Sequence, residues 1–292
     1  MSVRLTLAAI TDEYSQDLET ALAAMAEVGM TGVELRTVNG KNIVDLGNDE
    51  IDRITSAVEA RGMRILSIAS PVLKCTLPGG PPLDPAFQQD HFGSQRTFDD
   101  QPALIDRTFE VAARTGAGII RVFSYWRTVE PAKCFGAVCD ALEALARRAD
   151  PRGMTIGIEN EHACNIATGA ETARLLEIVQ HPALQVIWDP ANALVAGEAV
   201  PYPDGYNLLP PRRIVHVHAK DCTVEGHTPT WGPIGEMTID WRGQIRALVE
   251  DGYRGAISLE THWKGADGNK FEASRICART LRSLIDEAVS DS

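Results

Sequence analysis

The stretch TIGIENEH, residues 155–162, has three counterparts further along the chain: LQVIWDPAN at 184–192, IVHVHAKD at 214–221 and AISLETHW at 256–263. Each is a short apolar, β-type run that leads to one ligand-type side chain, namely Glu159, Asp189, His218 and Glu260 in turn. In a chain that alternates strands and helices, residues at strand ends gather in an active-site mouth at one face of a barrel. Side chains alternate along a strand, which tests the idea. Gly157 shares parity with Glu159, Ile187 with Asp189, His216 with His218 and Ser258 with Glu260, so all four ligand candidates can point into one interior. They follow one another at 30, 29 and 42 residues, about one β-α unit each, so strands five to eight supply one apiece.

Outward from these runs the same rhythm covers the chain. β-rich segments recur at about 3–11, 32–36, 64–70, 119–125, 154–160, 184–190, 214–220 and 255–261. Helical patterns fall between them at about 18–28, 49–61, 102–115, 132–149, 170–180, 241–251 and 272–289. The first of these is the clearest: Leu18, Leu22 and Met25 repeat at helical spacing, Asp17 can cap the start and Gly29 can end it. Eight β-α units predict an α/β chain forming one (β/α)8 TIM barrel, residues 1–292 as a single domain, because no GxGxxG follows the first strand and no Walker-type loop is present. A barrel of this kind typically takes roughly 250 residues, and the 292-residue chain, 44% hydrophobic, can bury such a core.

Two connections are long. Residues 71–101, rich in Pro and Gly, read as an insertion or lid loop after strand three, and Thr223–Asp240 as a second loop after strand seven. Both overhang the predicted mouth, and the first can alternatively pack on a neighbouring subunit. The net charge of −12 argues against nucleic acid as a partner. No segment reads as a membrane span or signal peptide, and the six cysteines form no CxxC pair, so a reduced, cytoplasmic protein is expected. Cys75 and Cys222 read as packing residues.

Three carboxylates and one imidazole, with no thiolate, suit one divalent cation with open positions for substrate and water. Mn2+ is the first choice, with Mg2+, Co2+ or Zn2+ as alternatives. Around this set, His162 lies three residues past Glu159 and is a usable general base. His216 is expected to pack beneath the metal rather than ligate it. Lys220 either meets a substrate oxygen or pairs with Glu260 or Asp189. Arg36 either orients substrate or makes a structural salt bridge. Trp126, Trp231 and Trp263 follow strands and can wall a sugar site or simply pack.

These residues resemble the xylose isomerase-like TIM barrels, the sugar phosphate isomerase/epimerase superfamily. The resemblance covers essentially the whole chain: GVELR at 32–36, Glu159-Asn160, HVHAKD at 216–221, Gly235-Glu236 before Ile239-Asp240-Trp241, and SLET at 258–261. It implies that Glu159, Asp189, His218 and Glu260 bind one divalent cation and that Glu159 and Glu260 act as an acid/base pair on a small sugar or polyol. The implied chemistry is isomerisation or epimerisation by proton abstraction next to a carbonyl, through a metal-stabilised enediolate. A metal-dependent lyase or dehydratase on an inosose or oxidised sugar, using His162, is the alternative. The chain departs from the ketose 3-epimerase pattern at Asn192, where that branch has His, and at Val224, where it has Arg. Asn192 can still bind a sugar hydroxyl. Barrels of this kind often form dimers or tetramers, so a homo-oligomer is expected.

Overall fold

The computed structural model describes residues 5–87, 89 and 95–291. Eight strands close a parallel barrel: β1 (Thr6–Ile10), β2 (Gly32–Leu35), β3 (Arg64–Ile68), β4 (Ile119–Val122), β5 (Thr155–Glu159), β6 (Leu184–Trp188), β7 (Ile214–Ala219) and β8 (Ala256–Leu259). Each pairs with its sequence neighbours, and β8 pairs with β1. Helices follow the strands: α1 (Leu18–Glu27), α2 (Asn48–Glu59), α3 (Gln101–Thr115), α4 (Pro131–Ala149), α5 (Gly169–Ile178), α6 (Pro190–Val195), α7 (Trp241–Glu250) and α8 (Lys270–Ser290). This is the (β/α)8 architecture that the alternating pattern predicts.

The strands are buried along almost their whole length, because helices cover the outside and the interior is filled by side chains. The interior is tight at β5: a Cβ on Gly157 would come within 2.8 Å of the Ile187 side chain. At the start of α1 the cap is the residue that the sequence suggests. Asp17 accepts from the Thr20 amide at the start of α1, and Thr168 with Glu171 forms a capping box on α5.

Two features missing from the sequence reading shape the mouth. Helix α6 is only six residues long, too short to show periodicity, and is set by Asp189 as N-cap with Pro190 at its first position. The connection after β7 is partly a hairpin, Asp221–Glu225 against Thr228–Gly232, turning at Gly226 with φ +62°. Trp231 therefore sits in a strand of this hairpin rather than in irregular loop. Within the insertion at 71–101, residues 88 and 90–94 lie outside the described residues, as do residues 3 and 4 of the first predicted strand. The segment before them is pinned to the barrel, with the Asp84 amide donating to the Arg127 carbonyl.

Candidate metal and substrate site

Glu159 ends β5, Asp189 follows β6, His218 is the penultimate residue of β7, and Glu260 follows β8. One ligand atom from each lies within 4.8 Å of the others, and all four side chains are buried. The geometry sorts their atoms into those held by protein and those facing inward. Glu260 Oε1 accepts from Arg36 Nη1 at 2.8 Å, leaving Oε2 toward the cluster. Asp189 Oδ1 caps α6 through the Asn192 amide at 2.8 Å, leaving Oδ2. His218 Nε2 donates to Glu34 Oε1 at 3.2 Å, which leaves Nδ1 facing Glu159 Oε1 at 3.1 Å and Glu260 Oε2 at 3.3 Å.

That arrangement fits a divalent cation. A carboxylate on the far nitrogen of a histidine fixes the tautomer whose other nitrogen offers its lone pair to a metal. Two buried carboxylate oxygens, Glu159 Oε2 and Asp189 Oδ2, make no hydrogen bond and each has a protein cation beside it, Arg121 Nη1 at 3.3 Å and Lys220 Nζ at 2.8 Å, so both call for the positive charge that a metal ion also supplies. The electrostatics agree. Burial, with Glu159 and Glu260 adding to it, pushes the Asp189 carboxyl up in spite of Lys220. Burial opposes the charge on Glu260, yet Lys220, His218 and Arg36 outweigh it and hold that carboxyl well below the usual range. Burial likewise works against a charged His218, and Glu34, Glu159 and Glu260 override it, keeping the imidazole protonated well above its ordinary pKa.

A second layer holds the first. His216, buried two residues below His218, donates from Nε2 to Glu34 Oε1 at 2.8 Å and meets the His218 ring edge-on. Glu34, the most telling residue the sequence reading left without a role, thus serves both imidazoles. A register shift at Val33/Glu34 in the β2–β3 pairing sets Glu34 opposite Ser67. Arg36 does not reach open solvent. It is buried, paired with Asp12 at 3.0 Å, with Glu13 and with Glu260. Arg121 of β4, also unanticipated, lies with Nη1 3.3 Å from Glu159 Oε2. Its signal was register: it pairs with Gly157, inside the barrel, in the middle of an apolar run.

Above the cluster opens a cavity of about 500 Å³ whose lining includes Lys74, Phe87, Glu161, His162, Lys220 and Trp231. Asn192 ties its wall to the ligands, donating from Nδ2 to Glu159 Oε1 at 3.2 Å and accepting at Oδ1 from His162 Nδ1 at 2.9 Å. Asn192 itself is fully buried. His162 Nδ1 also lies 3.1 Å from Glu161 Oε1. Burial works against a charged Glu161, but His162, Lys74 and Lys220 bring its carboxyl down to about 2. Trp231 stacks on His262, with ring centroids 4.7 Å apart, and Phe87 meets the His227 ring at 4.8 Å, so the insertion and the hairpin touch where they line the cavity. Trp126 is buried with Phe123, Ala163 and Cys164, its ring 5.5 Å from Lys74 Nζ. Trp263 packs half-buried against the main core. A cavity of similar size, about 540 Å³, opens at the opposite end of the barrel beside Arg64 and Arg254, away from the ligand cluster.

No curated protein sequence matches this chain. Solved structures do. The chain spans 98% of its length and 98% of a D-psicose 3-epimerase crystallised with D-fructose, at 18% identity and TM-score 0.64. It matches the probable 3-DHS dehydratase AsbF from Bacillus anthracis over 95% of this chain and 98% of that one, at 17% identity and TM-score 0.69. An IolI protein with a binding zinc atom matches at 14% identity and TM-score 0.69, over 98% and 97%. In a xylose isomerase-like TIM barrel/4-hydroxyphenylpyruvate dioxygenase fusion protein, the chain spans 43% of the length, with 98% of its own covered, 20% identity and TM-score 0.71. Likenesses this distant establish the fold, while the model of the xylose isomerase-like TIM barrel matches residues 22–284 of the sequence. This chain belongs to the xylose isomerase-like TIM barrel family.

Proposed function

We propose that this protein is a divalent-metal-dependent isomerase or epimerase acting on a small sugar or polyol. What carries the reading is the convergence of Glu159, Asp189, His218 and Glu260, with the two glutamates entering from strands separated by β6 and β7 around the barrel. A bound divalent cation, Mn2+ in the first instance, supplies Lewis acidity toward a substrate carbonyl and acidifies the neighbouring C–H. We take Glu159 as the base, since its Oε2 lies 3.3 Å from Arg121 Nη1 without a hydrogen bond, whereas Arg36 and Lys220 hydrogen-bond one oxygen each of Glu260. Donation of a second proton from the opposite face by Glu260 in its protonated form gives an epimer and leaves Glu159 carrying the first, whereas delivery by Glu159 of its own proton to the next carbon gives an isomer. Trp231 and Phe87 offer apolar faces to sugar C–H groups and Lys220 and His162 offer polar contacts, while Asn192, buried behind the lining, acts on the site through its bonds to His162 and Glu159. A single-domain cytoplasmic homo-oligomer, with the 71–101 insertion as a lid, belongs to the same reading.

A lyase is favoured by one observation. His162 has Nδ1 engaged by Asn192 and Glu161 at the cavity wall, the arrangement that frees Nε2 to act as a base. The AsbF likeness points the same way. Proton–deuterium exchange followed by NMR in D₂O, with Mn2+-loaded protein and a panel of ketoses, inososes and 3-keto sugars, separates the two. Deuterium entering next to the carbonyl without loss of water, abolished by Glu159→Gln and retained in His162→Asn, supports the isomerase or epimerase. Loss of water that requires His162 supports the lyase, and no exchange with any compound removes the enolising reading.

A further inference from the structure

Lys220 is buried deep in the mouth, 2% exposed, and its ammonium sits on the two inward-facing carboxylate oxygens: 2.8 Å from Asp189 Oδ2 and 2.9 Å from Glu260 Oε2. The other oxygen of each carboxylate is already committed, Asp189 Oδ1 to the Asn192 amide and Glu260 Oε1 to Arg36. A metal ion drawing on these two ligands must therefore approach the atoms that Lys220 now touches. The contact with Asp189 Oδ2 is a close buried ion pair that misses hydrogen-bond alignment, whereas the contact with Glu260 Oε2 is a charge-assisted hydrogen bond. An ammonium and a divalent ion within a few ångströms of each other repel strongly in a dry site.

Groups of the cavity already face the same ammonium. The Trp231 ring centroid is 5.8 Å from Lys220 Nζ, within cation–π range, and Glu161 lines the same cavity with its charge acting on Lys220. Rotation of the Lys220 side chain toward Trp231 and Glu161 would take the ammonium from the ligands into the cavity, where substrate is expected to lie.

We propose that Lys220 is an exchangeable counter-ion: it neutralises Asp189 and Glu260 in the metal-free protein, competes with the metal for them, and is turned into the substrate cavity by metal loading. The proposal rests on the metal-binding reading above and adds an order of events to it, since the polar group that meets substrate is presented only after the ion has arrived.

The test uses the full chain, stripped with a chelator and titrated calorimetrically with Mn2+. Competition predicts that Lys220→Met binds Mn2+ at least tenfold more tightly than the unaltered protein. Equal or weaker binding in the variant overturns the proposal and makes Lys220 a group that positions the ligands. Failure of Mn2+ to bind either protein overturns the metal reading itself, which keeps the two failures distinct. Because Lys220→Met leaves two buried carboxylates without their cation, its folding is checked by circular dichroism, and a second measurement needs no variant. Reductive methylation of the unaltered protein, read at the Lys220 peptide by mass spectrometry, should rise several-fold on Mn2+ loading, and an unchanged or lower yield refutes the exchange.

Discussion

Arg36 Nη1 lies 2.8 Å from Glu260 Oε1, and the same guanidinium pairs with Asp12 and Glu13, so one buried cation just after β2 fixes a candidate ligand just after β8 and two acids after β1. Breaking a buried pair by removing one partner typically costs about 3–5 kcal/mol, because the other charge is left uncompensated. Arg36→Met should lose stability on that scale in urea unfolding. It should also weaken Mn2+ binding, because Glu260 is no longer held with Oε2 inward.

Glu34 acts on the cluster through His218 without facing it. Loss of an outer partner of a ligating histidine commonly costs about 10–100-fold in metal affinity. Glu34→Gln should fall in that range by calorimetry while its circular dichroism spectrum stays native. An affinity equal to that of the unaltered protein would show that His218 is oriented by packing alone.

Metal loading should release a proton. His218 is held protonated by Glu34, Glu159 and Glu260, and the lone pair on Nδ1 becomes available only when that proton leaves. Affinity should therefore rise with pH, by about tenfold per unit where one proton exchanges for one ion. Calorimetry in buffers of different ionisation enthalpy reads the proton count directly. A pH-independent affinity would place the ion elsewhere.

Gly169 opens α5 against the 201–205 segment, and a Cβ there would stand 2.5 Å from the Gly205 carbonyl oxygen. The obstacle is backbone, so relief needs movement of the segment. Gly169→Ala should cost about 1–3 kcal/mol by thermal unfolding, in the range of overpacked cores. It should leave the metal affinity unchanged.

All six cysteines are buried and unpaired. Burial raises the thiol pKa of Cys75 and Cys222 to about 12, which removes the reactive thiolate. A thiol reagent should therefore label the native protein at a small fraction of the rate seen in guanidinium, where six groups should titrate.

The fold was legible because strand and helix signals alternated strongly, and the four ligand candidates were legible because each ended an apolar run with the right parity. The same rule reaches Asp12 and Glu13, which follow β1 in ITDEY, but their role depends on Arg36 arriving from another strand, a contact that one sequence does not encode locally. Arg121 escaped because an arginine in a strand ordinarily faces water, and only the register with Gly157 turns it inward. Helix α6 was too short for periodicity to register. The hairpin carried a local signal, Gly226 flanked by β-compatible residues, that was subsumed into a long loop.

Asp189 joins three structures at one carboxylate: the end of β6, the cap of α6 and the ligand cluster. Architecture and chemistry are thereby fused at that position. A change there alters the start of a helix as well as the ligand cluster, so new specificities are more accessible at cavity-lining positions of the insertion and the hairpin such as Phe87 and Trp231. The barrel resembles a fixed lathe head with interchangeable jaws, and the jaws are where differences in substrate among such chains should be sought.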